Sequence, residues 1–235
     1  MTATIVNTFT VLAGSLLGIL LRNQLKSELQ TAVIKALGLC TILIGISSAV
    51  KTEDLLCVIL SMAFGTVLGE WIGIDNRIEL AGDALKRKFV KSDSANSRFT
   101  EGFVSACILF CIGSMTIMGC LEAGINRNYS IIFAKSTLDF FSSMAFGAAM
   151  GIGVTFSAVF VLVFQGALTL LASWIGPVLS PAVVNEMSAV GGVMLVGLAF
   201  NLLGITKDQD RIKVANMLPA IFLPLLYFLI RSFFS

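Results

Sequence analysis

Between two apolar stretches the chain reads Met150-Gly-Ile-Gly-Val-Thr155, and whether this run bends the backbone or lies inside one helix decides the topology. The surrounding apolar sequence is nearly twice as long as one crossing requires, since about 20 residues at ~1.5 Å each span a ~30 Å hydrocarbon layer. Two glycines in so short a run favour a tight reversal. With a break there, eight apolar segments can be read, near residues 5–21, 34–50, 55–74, 102–120, 137–154, 156–175, 188–205 and 214–230.

The cations test that count. With eight spans and both termini outside, twelve Lys and Arg face the cytoplasm (Arg22, Lys26, Lys35, Arg77, Lys86, Arg87, Lys88, Lys91, Arg98, Lys207, Arg211, Lys213). Only Lys51, Arg127, Lys135 and Arg231 face outward. Merging the fifth and sixth spans moves Lys207, Arg211 and Lys213 outside and weakens the asymmetry, so the positive-inside rule favours the break. Trp71 and Trp174 fall at span ends, where interfacial aromatics belong.

Composition agrees. Of the 235 residues, 57% are hydrophobic and 13% charged, and mean hydropathy is +0.93. A water-facing surface typically needs about 25% charged residues. The expectation is an all-α polytopic transmembrane helix bundle, one integral membrane domain over 1–235 containing a cytoplasmic basic loop at 75–100. The start of that loop has the makings of a basic amphipathic helix on the inner leaflet; a solvated loop is the alternative. The first apolar segment lacks a cleavage-site pattern and reads as a retained span.

Enzyme chemistry finds few footholds. The chain has no His, the commonest general base and metal ligand. It has no GxxxxGK(S/T), GxSxG or HExxH motif. Cys40, Cys57, Cys107, Cys111 and Cys120 form no CxxC pair and read as core thiols, so no metal or cofactor is expected. A formal charge of +2 gives no case for nucleic acid.

Internal echoes point elsewhere. Ser61-Met-Ala-Phe-Gly65 recurs as Ser143-Met-Ala-Phe-Gly147, each extending to a GxxxG through Gly69 and Gly151. Gly113-Ser114 with Gly119 is echoed by Gly191-Gly192 with Gly197. These suggest duplicated helix-pair units, some parallel and some inverted, an arrangement associated with secondary transporters. The plain alternative is close helix packing, within the chain or in a homodimer.

Polar groups are costly in lipid and are the natural site candidates. Lys135, Ser136, Asp139 and Ser143 are expected at the outer entrance of the fifth span, as an ion or solute entry with Lys135 the resting counter-ion. A capping box of Ser136 and Asp139 is the alternative. Asn201 and Asn216, the latter just before Pro219, are expected to line an interior site where freed backbone carbonyls and amide side chains coordinate a small ion. Glu70 is a cation or proton site, or the partner of a loop Lys. Gln165 reads as a lone interhelical hydrogen bond, and Glu122 and Glu186 as solvated groups at outer ends.

The run Ala134-Lys-Ser-Thr-Leu-Asp-Phe-Phe141, the segment from Phe110-Cys111 through Gly119 to Glu122-Ala-Gly124, Ser188-Ala-Val-Gly-Gly192 and Asn216-Met-Leu-Pro-Ala220 together resemble the YqgA/YdfK family of bacterial inner-membrane proteins. The likeness extends to Asn7 and the Gly14 to Gly18 run. It implies a bacterial inner-membrane location and a loose association with transport, and its motifs fall on Lys135, Ser136, Asp139 and Asn216. The functional expectation is therefore a transporter or channel for a small ion or polar solute, its partners being the bilayer, the solute and, through the Gly pairs, a second copy. The alternative is a non-transporting membrane scaffold or sensor acting through the 75–98 loop.

Overall fold

The computed structural model describes residues 1–22, 26–89, 99–111, 113–176, 179–206 and 210–234. They form helices α1 (Thr2–Arg22), α2 (Ser27–Ala49), α3 (Leu55–Ile72), α4 (Ile74–Phe89), α5 (Phe99–Cys111), α6 (Ser114–Ile125), α7 (Ser130–Met150), α8 (Gly153–Ile175), α9 (Pro181–Leu203) and α10 (Leu223–Phe234). A 3₁₀ segment, Val214–Phe222, leads into α10. The fold is an all-helical bundle, with no strand among the described residues.

Among the described residues, six stretches are long and apolar enough to cross a bilayer: α1, α2, α3, α8, α9 and the 3₁₀ segment continued by α10. The pair α5 and α6, bent by 58°, makes a seventh if the two helices are counted as one span. α7 is as long as α1, but Lys135 and Asp139 interrupt its apolar sequence.

The reversal expected at residues 150–155 is present. α7 ends at Gly151, whose φ of 86° and ψ of −151° belong to a region that a Cβ makes prohibitive. A Cβ on Gly153 would strike the Phe99 carbonyl, so this glycine also lets α8 start hard against α5.

Elsewhere the chain departs from uniform spans. The segment expected as one helix over 102–120 is two, divided beside Gly113 at φ 135°. The segment expected over 214–230 starts in 3₁₀ geometry, because Pro219 lacks the amide an α-helical ladder needs there. The 75–100 loop begins as helix α4; Lys91, Arg98 and the polar run 92–97 lie outside the described residues.

Glycine sets the closest contacts. α1 and α7 run parallel, with Gly14 against Ser143 Oγ and the Phe140 carbonyl, Gly18 against the Met144 carbonyl and Gly147 against Ser15. α3 runs antiparallel to the 3₁₀ segment, with Gly65 on Ala220 and Gly69 on the Asn216 carbonyl. The two Ser-Met-Ala-Phe-Gly copies thus meet different partners in opposite senses. In lipid no hydrophobic force draws helices together, so such backbone approach is a main source of packing energy.

α9 is the central helix, with 72% of its span buried against 22% for α2 and 28% for α3. The perimeter is apolar: Phe9, Leu43, Val67 and Leu170 are all exposed. Trp71 and Trp174 lie on it, more than four-fifths exposed, at the C-terminal ends of α3 and α8.

Gly18→Ala should destabilise the folded protein by about 1–3 kcal/mol, the cost of overpacking, and lower its melting temperature in detergent. Gly166→Ala, whose new Cβ would meet only Met1 Cε at 3.6 Å, should melt like the parent.

Candidate functional site

α7 starts at Ser130, with Tyr129 as an N-cap that makes no side-chain cap bond, so Ser136 and Asp139 lie in its second and third turns. The capping-box alternative is therefore excluded: Ser136 Oγ donates to the Ile132 carbonyl 2.8 Å away. Asp139 is the tenth of the helix's 21 residues and lies inside the bundle rather than at an entrance. At a spacing of four, Lys135, Asp139 and Ser143 share one face.

Lys135 and Asp139 form an ion pair, each less than a tenth exposed. Asp139 Oδ2 also accepts from Asn7 Nδ2 of α1 at 3.0 Å, and the same amide donates to Gln165 Oε1 of α8 at 3.1 Å. The hydroxyls of Thr4 and Thr169 meet at 3.3 Å, about one turn away on the same two helices. Three helices therefore converge on one buried carboxylate. Gln165 is a member of this network rather than a lone group, and its Nε2 has no partner. Ser143 plays a packing part, its Oγ bonded to the Phe140 carbonyl at 3.0 Å and pressed against Gly14.

A second polar region lies where α3 gives way to α4. Arg211 Nη2 donates to Asp75 at 2.7 Å and to Glu79 at 2.5 Å. The Asp75 amide donates to Asn216 Oδ1 at 2.6 Å. Asn201 ties the chain after α9, donating to the Ile212 carbonyl at 2.8 Å and accepting from the Thr206 hydroxyl at 2.7 Å. Glu70 pairs with Lys213 at 3.5 Å, both about half exposed.

Two cavities open here. One of about 230 Å³ reaches Ser105, Ile108 and Asn201. The other, of about 510 Å³, is lined by Glu70, Glu79, Lys213 and Asn216. Asp75 and Arg211 border both. The candidates fall into two groups: Lys135, Ser136, Asp139 and Ser143 on α7, and Glu70, Asn201 and Asn216 around the Asp75–Arg211 pair. Asn216 spends its side-chain carbonyl on an α4 amide, and Asn201 on the following loop, because both stand at helix ends with bare backbone groups to satisfy.

Glu186 corrects another expectation. α9 begins at Pro181, seven residues before the span read from sequence, so Glu186 is helical and buried. It accepts from Thr52 Oγ1 at 2.5 Å, the Glu53 amide at 2.8 Å and the Asp54 amide at 3.3 Å, closing the entry to α3. Asp54 in turn accepts from Tyr227 and Arg231, each at 3.0 Å. Sequence reasoning missed Thr4, Thr169, Asp75 and Arg211 as site members; their one sequence signal is that they are polar beside or within apolar runs.

The sequence pattern of the family described as Protein of unknown function (DUF554) matches residues 2–229. The chain belongs to that family. Among its relatives are the uncharacterized membrane protein YdfK of Bacillus subtilis (strain 168) and the uncharacterized protein YqgA of Escherichia coli (strain K12). The first is 30% identical, with 99% of this chain and 98% of the relative covered. The second is 31% identical, with 93% and 92% covered. No solved structure matches the chain.

Removing one partner of a buried pair leaves the other charge uncompensated, at a typical cost of 3–5 kcal/mol, whereas replacing both by apolar groups is often neutral. Lys135→Met and Asp139→Leu should each lower the melting temperature in detergent, and the double variant should recover most of the loss. A double variant as unstable as the sum of the singles would show that the two groups are not coupled.

Proposed function

We propose that this family member is a bacterial inner-membrane protein that carries a small ion or polar solute across the bilayer, without catalytic chemistry. The observation that carries the proposal is the Lys135–Asp139 pair buried in a lipid-facing bundle and held by Asn7. A buried ion pair is poor stabilisation compared with well-packed apolar residues, and ionisable groups in membrane spans cluster on ion and substrate paths. Two further features support it. The broken pair α5–α6 brings Cys111 within electrostatic reach of both Lys135 and Asp139, and discontinuous helices beside charged groups are a recurring transporter device. The cavities around Asp75 and Arg211 supply a polar vestibule at the end of the bundle where α3 finishes.

With α7 as a pass and the bent pair as one, the chain crosses eight times, its cation-rich end cytoplasmic. Any homodimer would use a face other than Gly14, Gly18, Gly65, Gly69 and Gly147, whose close contacts are made within the chain.

Purified protein in liposomes should pass a solute from a panel of cations, anions and small metabolites, and Asp139→Asn should abolish that flux. Equal flux in a folded, inserted Asp139→Asn protein would remove the pair from the path. For orientation, a single cysteine at Asn128 in a Cys-free background should label from outside intact cells and one at Arg77 should not; the reverse pattern would invert the topology.

A further inference from the structure

Gln165 lies within α8 with no exposed surface, and its Nε2 is one of two buried side-chain polar atoms among the described residues that lack a partner, the other being Thr155 Oγ1. Its orientation is fixed by its neighbours. Oε1 accepts from Asn7 Nδ2, while Asn7 Oδ1 is held by the Thr10 hydroxyl at 3.3 Å. Flipping the glutamine amide would therefore set two N–H groups face to face. A buried donor left unmade is costly, so the vacancy calls for an acceptor.

The surroundings are rich in donors. The Lys135 ammonium has three N–H groups, Asn7 spends both its bonds on acceptors already there, and the hydroxyls of Thr4 and Thr169 lie about a turn away. Asp139 is the one carboxylate in the network, and it is the counter-ion that holds Lys135.

Resting on the transport reading above, we infer that Lys135, Gln165 and Asn7 form an intramembrane site for a small monovalent anion that binds together with one proton. The proton goes to the Asp139 carboxylate, which lets go of the ammonium. The anion then takes the place of the carboxylate between Lys135 and Asn7, with the free Gln165 amide as the further donor. One O–H bond forms, nothing is oxidised or reduced, and the site carries zero net charge before and after. That neutrality rules out a cation or an anion that arrives without exchange of a proton, and a cation that displaced a Lys135 proton would leave Gln165 Nε2 still without an acceptor.

The other groups around Asp139 do not supply a second proton carrier of its kind. On its own helix the neighbouring charge is Lys135; α5 presents the thiol of Cys111 and α6 that of Cys120, the latter also within reach of the chain's amino group, while Glu101 stands in the first turn of α5, at the opposite end from Cys111, and Glu122 of α6 accepts from Asn126 at an exposed position. α8 has no titratable residue, and α1 carries only Arg22, at its far end. α2 contributes Glu28 and Lys35 near its start, toward the end of the bundle where α7 finishes, and the exposed Cys40. The Thr4–Thr169 step marks a polar approach from the N-terminal end of α1.

The test uses purified full-length protein in detergent, titrated with fluoride, chloride and formate at constant ionic strength in gluconate, with binding read by calorimetry and melting temperature. At least one probe should bind saturably, with affinity rising up to about tenfold for each pH unit of acidification while Asp139 is ionised. Asp139→Asn should bind with little pH dependence, and Gln165→Leu should weaken binding at least tenfold in a protein that still melts cooperatively. No saturable effect from any probe, which would mean water alone fills the Gln165 donor, would overturn the inference. So would pH-independent binding in the parent, or binding unaltered in Gln165→Leu. Binding without any flux in liposomes would instead sink the transport reading and leave the site standing; flux indifferent to all three anions would do the opposite.

Discussion

The polar centre of this bundle depends on the parallel contact of α1 with α7. Gly14, Gly18 and Gly147 strip that contact of side chains, so the two backbones meet closely enough for Asn7 to reach the Asp139 carboxylate. A charged pair at that depth requires both neutralisation and hydrogen bonding, and Lys135 supplies the first while Asn7 supplies the second. α8 is drawn into the same network through Gln165 and Thr169, which fixes its position against both helices. The Gly151 reversal matters for the same reason, because it turns the chain sharply enough for α7 and α8 to share one polar centre.

The remaining polar groups follow a different logic. Asn201, Asn216, Glu186 and Asp54 all satisfy backbone groups at helix ends or in the segments between helices, where broken ladders leave amides and carbonyls bare. Such groups read from sequence as candidate ligands, since an amide side chain beside a proline looks alike in both roles. Their spatial setting separates them. The ones that cap backbone lie at the ends of the bundle, and the charged pair that caps nothing lies in its interior.

Membership of a family described only as of unknown function leaves the chemistry to be argued from geometry. The buried pair, the broken α5–α6 helix and the polar cavities form the basis of that argument, and each is a costly feature in a membrane-facing fold. Retaining all three in a chain of 235 residues is hard to reconcile with stability as their only purpose.

Sequence by itself determined the solvent this chain folds in, the helical class, the reversal at Gly151 and the family. Those properties depend on local composition, on glycine's conformational range and on contiguous motifs, all of which are written along one dimension. It also put Lys135 and Asp139 on one helix face, because a spacing of four does so in any α-helix. Tertiary structure decided that the pair is interior and that Asn7 and Gln165 complete it. It also bound Asn201 and Asn216 to backbone and buried Glu186. The physical reason is that burial and hydrogen-bond pairing in lipid depend on which helices become neighbours, and the residues concerned are up to 158 positions apart.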